Sequence, residues 1–411
     1  MVQVKRASAL IFMLLAAYLI GRFSLGPWRG KDRIPTDFTV FRTAVTRYFA
    51  HEPVYRPTES SPFKYSPAFL AVVARPLAWG SPRVSWASYS AFGILAWCLA
   101  CFAFILKSHP LVRNVQIWLG ALAMGIVVSW HGMLEHLSYG QSDFLVAAAI
   151  TGVYLLTPGP RRKMHRGRIM VGGALIALAL SIKPAAGLLL LGLAWDAELG
   201  MLAAGAAMTA ALYLLTAVAL WFDAVPWSLT TLMGQWLTSL ARQPAELFGG
   251  NLTQGLGPTL ARCLNHPEWS ETFSRGFFLG GIALFAACLA RGVFRRREAE
   301  AQRSPFETLQ KLAASMGVYL LCNPLSWRWN TFLWLPMAYF VFLNRKSLKP
   351  VLFNSMLLGF ALLAMLSQTW MAHLIGVKEV DEMSRWGVYG WASLLLTTAV
   401  ILALDPVRRS R

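Results

Sequence analysis

Charged side chains are scarce in this chain. Only 14% of its 411 residues are charged, and only 19 residues are Asp or Glu, whereas soluble domains average about 25% charged residues. Hydrophobic residues make up 56% of the chain, and its mean hydropathy is +0.49. The composition excludes a water-soluble globule with one buried core and predicts an integral membrane protein.

The chain also lacks the spacings that mark disulfide frameworks, metal sites and common catalytic motifs. Four of its five cysteines lie inside apolar segments, where cysteine behaves as a small hydrophobic residue. His131 and His136 have no Cys or carboxylate cluster around them at ligand spacing. There is no nucleotide-binding glycine loop and no Ser-His-Asp order. We therefore expect neither a metal nor a cofactor.

Short alternating strands and internal repeats are absent as well. The missing strands argue against a membrane β-barrel, and long apolar runs follow one another with no soluble domain between them. Because lipid forces a spanning backbone into helices or closed barrels, we predict an all-α polytopic bundle. Residues 1–411 are expected to form a single membrane domain.

Lys and Arg are concentrated in short segments between the apolar runs. A net charge of +19 would suggest nucleic acid as the partner of a soluble protein, but here it fits the positive-inside rule, so we expect no nucleic acid. The pattern predicts about twelve crossings of the inner cell membrane, with both termini cytoplasmic and Ala7 to Leu25 retained as the first helix. The predicted outer loops are 26–65, 130–141, 223–275, 323–330 and 372–386.

Residues 66–106 hold a short apolar piece that Gly80 and Pro82 separate from a full-length run. If both pieces crossed the membrane, the basic segment after Pro158 would lie outside, against the charge rule. We therefore predict one net crossing over 66–106, with a tilted or re-entrant first part.

The loop after the first apolar run, residues 26–69, is the longest polar stretch near the N-terminus. Within it, apolar residues recur at helical spacing from Phe38 to Phe49, which predicts an amphipathic helix on the membrane surface. Thr36 is a plausible N-cap. Asp37 would then occupy the first turn, where the helix dipole favours an ionised carboxylate.

On this topology many polar side chains converge on the outer face. They are Asp37, Lys64, Glu135, His136, Gln141, Asp143, Lys183, Asn251, Gln254, Arg262, Trp327 and Arg328. Cations in a partly dry site bind phosphate oxygens strongly, and a carboxylate beside them can take a proton from a hydroxyl.

Simpler interpretations stand beside the catalytic one. Asp37 can be a solvated loop carboxylate, since catalytic groups are a minority of all carboxylates. Lys183, next to a proline, can extend its charge to water from a helix end. Trp327 and Trp329 can belong to the aromatic belt at the membrane interface, although indole faces also stack on sugars.

Several short motifs, in this order, resemble a known family. They are Asp37-Phe38, Val54-Tyr55, Phe63-Lys64-Tyr65-Ser66-Pro67, Arg75-Pro76-Leu77, Gly140-Gln141, Lys183-Pro184, Gly250 to Gly255 with Arg262 after it, and Asn323 to Trp327. The chain is similar in these motifs, over roughly residues 30–345, to glycosyltransferase family 87. Its members are membrane enzymes of the C-type glycosyltransferase fold that use polyprenyl phosphate mannose.

The resemblance implies transfer of a sugar, most often mannose, to a hydroxyl of a lipid or glycan acceptor outside the cytoplasm. Asp37 matches the family's catalytic base. Lys64, Lys183, Arg262 and Arg328 would bind the donor phosphate, because fixed positive charge stabilises the departing anion. Substrate contacts would come from Tyr65, Gln141, Asn251, Gln254 and Trp327.

The chain departs from the family pattern at two places. Trp329 and Asn330 stand where a histidine pair is usual, which leaves Arg328 as the nearest cation. The run Tyr65-Ser66-Pro67 replaces a tyrosine followed by two prolines. An arabinose-type donor therefore stays open beside mannose.

The residues themselves favour a reaction that needs few catalytic groups. A sugar on polyprenyl phosphate already has an anionic leaving group, so one base and a few cations suffice, and in-line attack would invert the anomeric carbon. The alternative is a transporter or flippase of a lipid-linked sugar, which the helix breaks near Pro67 and Pro184 would suit. The missing internal repeat and the polar groups gathered on one face favour the enzyme.

Overall fold

A computed structural model describes most of the chain. The described residues are 2–29, 34–56, 59, 61–108, 115–157, 165–196, 198–241, 253–294, 305–344, 354–355, 358–360, 382–383 and 385–403. Asn251 lies outside them. So do most of the predicted loop 372–386 and most of the basic segments that carry the orientation argument.

The described residues form helices and the turns that join them, as predicted. In chain order the α-helices are α1 (Val2–Leu19), α2 (Thr36–Phe49), α3 (Pro82–Ser108), α4 (Val115–Tyr139), α5 (Asp143–Leu156), α6 (Arg166–Ile182), α7 (Leu191–Trp195), α8 (Leu199–Phe222), α9 (Leu229–Ala241), α10 (Leu256–Cys263), α11 (Ser270–Phe294), α12 (Pro305–Cys322), α13 (Trp334–Leu343) and α14 (Val388–Leu402). In this part of the chain the extended backbone pairs at one isolated bridge, between Thr253 and Trp327. The protein is therefore a helical membrane protein.

Five segments within the described ranges are long and apolar enough to cross a bilayer. They are Lys5–Ser24, Pro82–Lys107, Val115–Tyr139, Leu199–Phe222 and Pro267–Phe294. Shorter apolar helices cover Asp143–Leu156, Pro184–Trp195 and Val388–Leu402. The count of twelve crossings and the side on which each terminus lies stay predictions.

Close backbone packing joins α6 to α8. A Cβ added at Gly173 would lie 2.8 Å from the carbonyl carbon of Ala204, so only glycine allows the two helices to approach this closely. Small residues at such crossings are usual between membrane helices, because dispersion contacts replace the hydrophobic effect there. This packing sets the position of Lys183, which directly follows α6.

The helix breaks fall where the sequence places them, but two predicted outer loops are largely helical. Residues 66–106 divide into short helical turns up to Ala78 and the long helix α3, separated at Gly80 with a φ of 72°. Residues 130–139, predicted as loop, continue α4, and residues 270–275, also predicted as loop, begin α11. Apolar residues alternate with the polar ones in both segments. The helices α4 and α11 therefore extend into residues that the polar side chains had predicted to be loop.

The predicted amphipathic helix is α2, and Asp37 lies in its first turn. The N-cap prediction was wrong by one residue, because the helix begins at Thr36 after Pro35 and no side chain caps it. Its apolar face is covered by protein. The ring centroid of Phe38 lies 5.3 Å from that of Trp86.

A polar anchor holds the other end of α2. Arg75 donates two hydrogen bonds to Asp223, of 2.8 and 2.6 Å, and the Tyr48 hydroxyl donates a third of 2.7 Å. Asp223 follows α8, and Arg75 begins the short turn after the π-helical segment Phe69–Val73. The anchor therefore joins α2 to the membrane helix α8.

Candidate active site

The N-terminus of α2 meets the C-terminus of α4, and this contact positions Asp37. Gly140 ends α4 with a φ of 74°, and a Cβ there would lie 2.8 Å from the Cβ of Pro35. Glycine alone fits both this backbone and this spacing. The next residue, Gln141, donates a hydrogen bond from its side-chain amide to the Asp37 carboxylate.

Burial changes the acid–base character of Asp37. It raises the pKa of this carboxyl from 3.8 to about 6, against the opposing effect of the nearby Lys183 and Lys64. The sequence predicted that the helix dipole would favour the ionised form of Asp37. Burial has the opposite effect on the pKa and is the larger one. A carboxyl with a pKa near the working pH suits a general base.

Lys64 is the cation beside Asp37 that has no described ion pair. Its backbone carbonyl accepts a 2.9 Å hydrogen bond from the Trp236 indole, which fixes the chain at this point. Burial lowers the pKa of its ammonium to about 8, although Asp37 opposes the shift. Within the described residues no side chain forms a salt bridge with Lys64. Among the described residues, its charge is therefore not committed to a salt bridge.

Lys183 is held by a carboxylate. Its Nζ lies 2.8 Å from both carboxylate oxygens of Asp143, the buried first residue of α5. Pro184 follows and begins a short 3-10 helix, so α6 stops beside the site. The ion pair fixes the ammonium next to Asp37 and leaves about a fifth of its side chain exposed.

Tyr65 lies in the same cluster. Its hydroxyl accepts a 3.3 Å hydrogen bond from Ser142, the residue between Gln141 and Asp143. Its ring lies edge-on to that of Phe41, with centroids 4.6 Å apart. The structure thus gathers Asp37, Lys64, Tyr65, Gln141 and Lys183 into one group.

Arg328 belongs to a second, adjoining group. It forms an ion pair with the buried carboxylate of Glu135 on α4. The His131 ring, one turn earlier, lies 3.4 Å from the same carboxylate. Arg328 is therefore largely neutralised in this structure, unlike Lys64.

Three aromatic rings form a stack beside Arg328. Trp327 and Trp329 are parallel, with centroids 4.9 Å apart, and Trp329 lies 4.6 Å from Tyr139. Trp329 is buried, whereas Trp327 and Tyr139 on either side of it are half-buried. Tyr139 lies within electrostatic reach of both Arg328 and Asp37, so this aromatic stack connects the two groups.

Gln254 and Arg262 frame the aromatic stack. The backbone N–H of Gln254 donates a 2.6 Å hydrogen bond to the Ser326 carbonyl. Arg262 donates to the backbone carbonyls of Thr253, at 2.9 Å, and Arg385, at 2.8 Å. Burial lowers the pKa of Arg262 to about 10, so it stays protonated at neutral pH.

Tyr139 was not among the residues singled out from the sequence. The signal for it was the spacing of His131, Glu135 and Tyr139, which are four residues apart and share one face of α4. No group of three or more His, Cys, Asp or Glu side chains suited to a metal ion occurs among the residues described above. The described residues bring together the Asp37 carboxylate, the two lysines beside it and an aromatic surface.

Comparison with known proteins gives a family match for this chain. Residues 63–324 match the model of glycosyltransferase family 87, a segment that covers more than half of the chain and includes Lys64, Gln141 and Lys183. Asp37 and Arg328 lie outside the matched segment. No curated protein matches the chain. The family predicted from the ordered motifs is confirmed, and the chain belongs to glycosyltransferase family 87.

Proposed function

We propose that this membrane glycosyltransferase transfers a sugar from polyprenyl phosphate to an acceptor hydroxyl, with Asp37 as the general base. The observation that carries the proposal is the placement of Asp37, held by Gln141 and lying beside two lysines. A carboxyl with a pKa of about 6 is mostly ionised at neutral pH and is still basic enough to accept a proton.

The reaction breaks the bond between the anomeric carbon and the phosphate oxygen. The acceptor oxygen attacks from the opposite face, its proton passes to a carboxylate oxygen of Asp37, and the electron pair leaves with the phosphate. This inverts the anomeric carbon. The products are a glycoside and a polyprenyl phosphate, and no oxidant or further reactant is needed.

Lys64 and Lys183 are the cations best placed for the departing phosphate. Both lie within electrostatic reach of Asp37, and fixed positive charge stabilises the anion that develops in the transition state. Asp143 holds Lys183 in place. Arg328 lies farther from Asp37, beside the aromatic stack, and would contact the donor there. Arg262 donates to backbone carbonyls, which supports a role in holding the surrounding loops in place.

The aromatic stack gives the donor sugar a surface. A hexose has an apolar face of C–H groups that packs on indole rings, and the half-buried Trp327 leaves part of its indole ring exposed. We assign mannose as the donor sugar, and the outer face of the inner membrane as the site of transfer, from the motif resemblance and the charge pattern.

The test is turnover by purified protein in detergent, with polyprenyl phosphate mannose as donor. Replacing Asp37 by Asn should lower release of polyprenyl phosphate by about 10²–10⁴-fold, the usual contribution of a general base. The matched control is Glu52→Gln, which removes an exposed carboxylate that pairs with Arg56. Near-parental turnover by Asp37→Asn, with its fold intact, would remove Asp37 from the base role.

A further inference from the structure

A cleft of about 770 Å³ runs along α2 on the side next to Asp37. Its described walls are the helix face from Thr36 to Arg47, Ile34 and Pro35 before the helix, and Ser138 on α4. Glu59, Ser61 and Phe63 complete the described lining. Sites for small molecules commonly measure about 300–1,000 Å³. The cleft is thus large enough for a ligand. Of the family motif residues Phe63 lines it, whereas none of the cations assigned to the donor phosphate does.

Hydroxyl groups dominate the polar lining of the cleft. They belong to Thr36, Thr39, Thr43, Ser61 and Ser138. A hydroxyl both donates and accepts hydrogen bonds and carries no charge. Such a surface matches a ligand that presents many hydroxyls of its own.

The charged side chains of the cleft cancel each other. Arg47 and Glu59 line it, and they pair through two hydrogen bonds of 3.0 and 2.7 Å. Within the described lining there is no other charged residue. Among the described lining residues, an anionic ligand would find no uncommitted cation, in contrast to the site around Lys64.

The cleft adjoins the proposed base. Ala44 lines it and lies seven residues after Asp37, on nearly the same side of α2. Ser138 lines the opposite wall, three residues before Gln141, which holds the carboxylate. Thr36, the residue directly before Asp37, also lines the cleft, so the inner end of the cleft is the part from which a ligand hydroxyl would approach Asp37.

We propose that this cleft binds the acceptor and that the acceptor is a neutral saccharide. The assignment rests on the proposed function, since only a transferase needs an acceptor beside Asp37. Charge separates the two substrates: the phosphate of the donor goes to Lys64 and Lys183, and the uncharged polyol goes to the hydroxyl-lined cleft.

The test is donor-free binding to the full-length protein in detergent, measured by calorimetry. The probes are neutral manno-, gluco-, galacto- and arabino-oligosaccharides, a glucuronic-acid-containing oligosaccharide and a threonine-rich peptide. We expect a neutral saccharide to bind, and the double variant Thr39→Val, Thr43→Val to weaken that binding at least tenfold. Thr46→Val is the matched control, because Thr46 is an exposed threonine of the same helix outside this cleft.

Asp37→Asn separates the two proposals. If it loses transfer but still binds the saccharide, both stand; if it retains transfer, the base assignment fails while the cleft is judged by its own variants. Thermal unfolding of each variant shows whether it has folded. The acceptor assignment is overturned if no neutral saccharide binds, if the acidic oligosaccharide or the peptide binds instead, or if the double variant binds as well as Thr46→Val.

Discussion

At the residue scale, the two lysines beside Asp37 differ in what holds them. Lys183 is paired with the buried Asp143, whereas no ion pair of Lys64 occurs in the described part of the chain. The same substitution at the two positions therefore has different consequences for folding. Lys64 is therefore expected to act mainly in substrate binding, whereas Lys183 is expected to contribute to stability as well.

Lys64→Met should weaken donor use and leave stability nearly unchanged, because no described salt bridge is lost. Lys183→Met should impair both, since it leaves the Asp143 carboxylate buried without its partner, a change that costs about 3–5 kcal/mol. Donor KM and the thermal unfolding midpoint of each variant check this. Equal loss of stability in both variants would contradict the assignment.

The pH profile follows from the same group of residues. Transfer should rise with pH as Asp37 ionises around pH 6 and fall as Lys64 loses its proton around pH 8. The measurement is kcat/KM for the donor across this range. Lys64→Arg should remove the alkaline limb, because arginine keeps its charge; an unchanged limb would assign it to another group.

At the scale of elements, the contact between α2 and α4 decides where the base lies. Gly140 combines a left-handed backbone with close approach to Pro35, and Gln141 follows directly. The anchor at Asp223 fixes the other end of α2. Neither contact is visible from the amphipathic pattern of α2 alone.

Gly140→Ala should move α2 away from α4 and lower transfer more than it lowers stability. The left-handed backbone costs a non-glycine residue about 1–2 kcal/mol, and the added methyl group meets Pro35. The matched control is Gly234→Ala on α9, where a Cβ would meet nothing within 4 Å. Parental activity in Gly140→Ala would show that this approach does not position the base.

Asp223→Ala should loosen α2, because it removes the acceptor of the hydrogen bonds from Arg75 and Tyr48. The expected result is faster amide hydrogen exchange across Thr36–Phe49, measured by mass spectrometry. Glu271→Ala is the control, since Glu271 pairs with an exposed arginine on α11. Unchanged exchange in α2 would mean that its apolar face alone holds it.

At the scale of the whole molecule, the orientation in the membrane connects the site to its donor. The charge pattern predicts that the loop around Ser61 lies outside and the start of α6 inside. In a variant whose native cysteines are replaced, Ser61→Cys should react with an impermeant maleimide added to intact cells. Arg166→Cys should react only after permeabilisation. The reverse result would put the site on the cytoplasmic side.

The amino-acid sequence by itself determined the class of protein, the positions of the helix breaks and the family. Composition, proline and glycine positions and short motifs are local properties, and they also placed Asp37 in the first turn of a helix. Local polarity did not show that α4 runs through residues 130–139, because polar and apolar residues alternate there.

Only the tertiary structure decided how the side chains of the site behave. Asp37 becomes a weaker acid because distant segments bury it, and its hydrogen bond comes from Gln141, 104 residues further along the chain. Pairing with Asp143, 40 residues away, distinguishes Lys183 from Lys64. Burial and ion pairing depend on which segments meet in space, and no local pattern of residues contains that information.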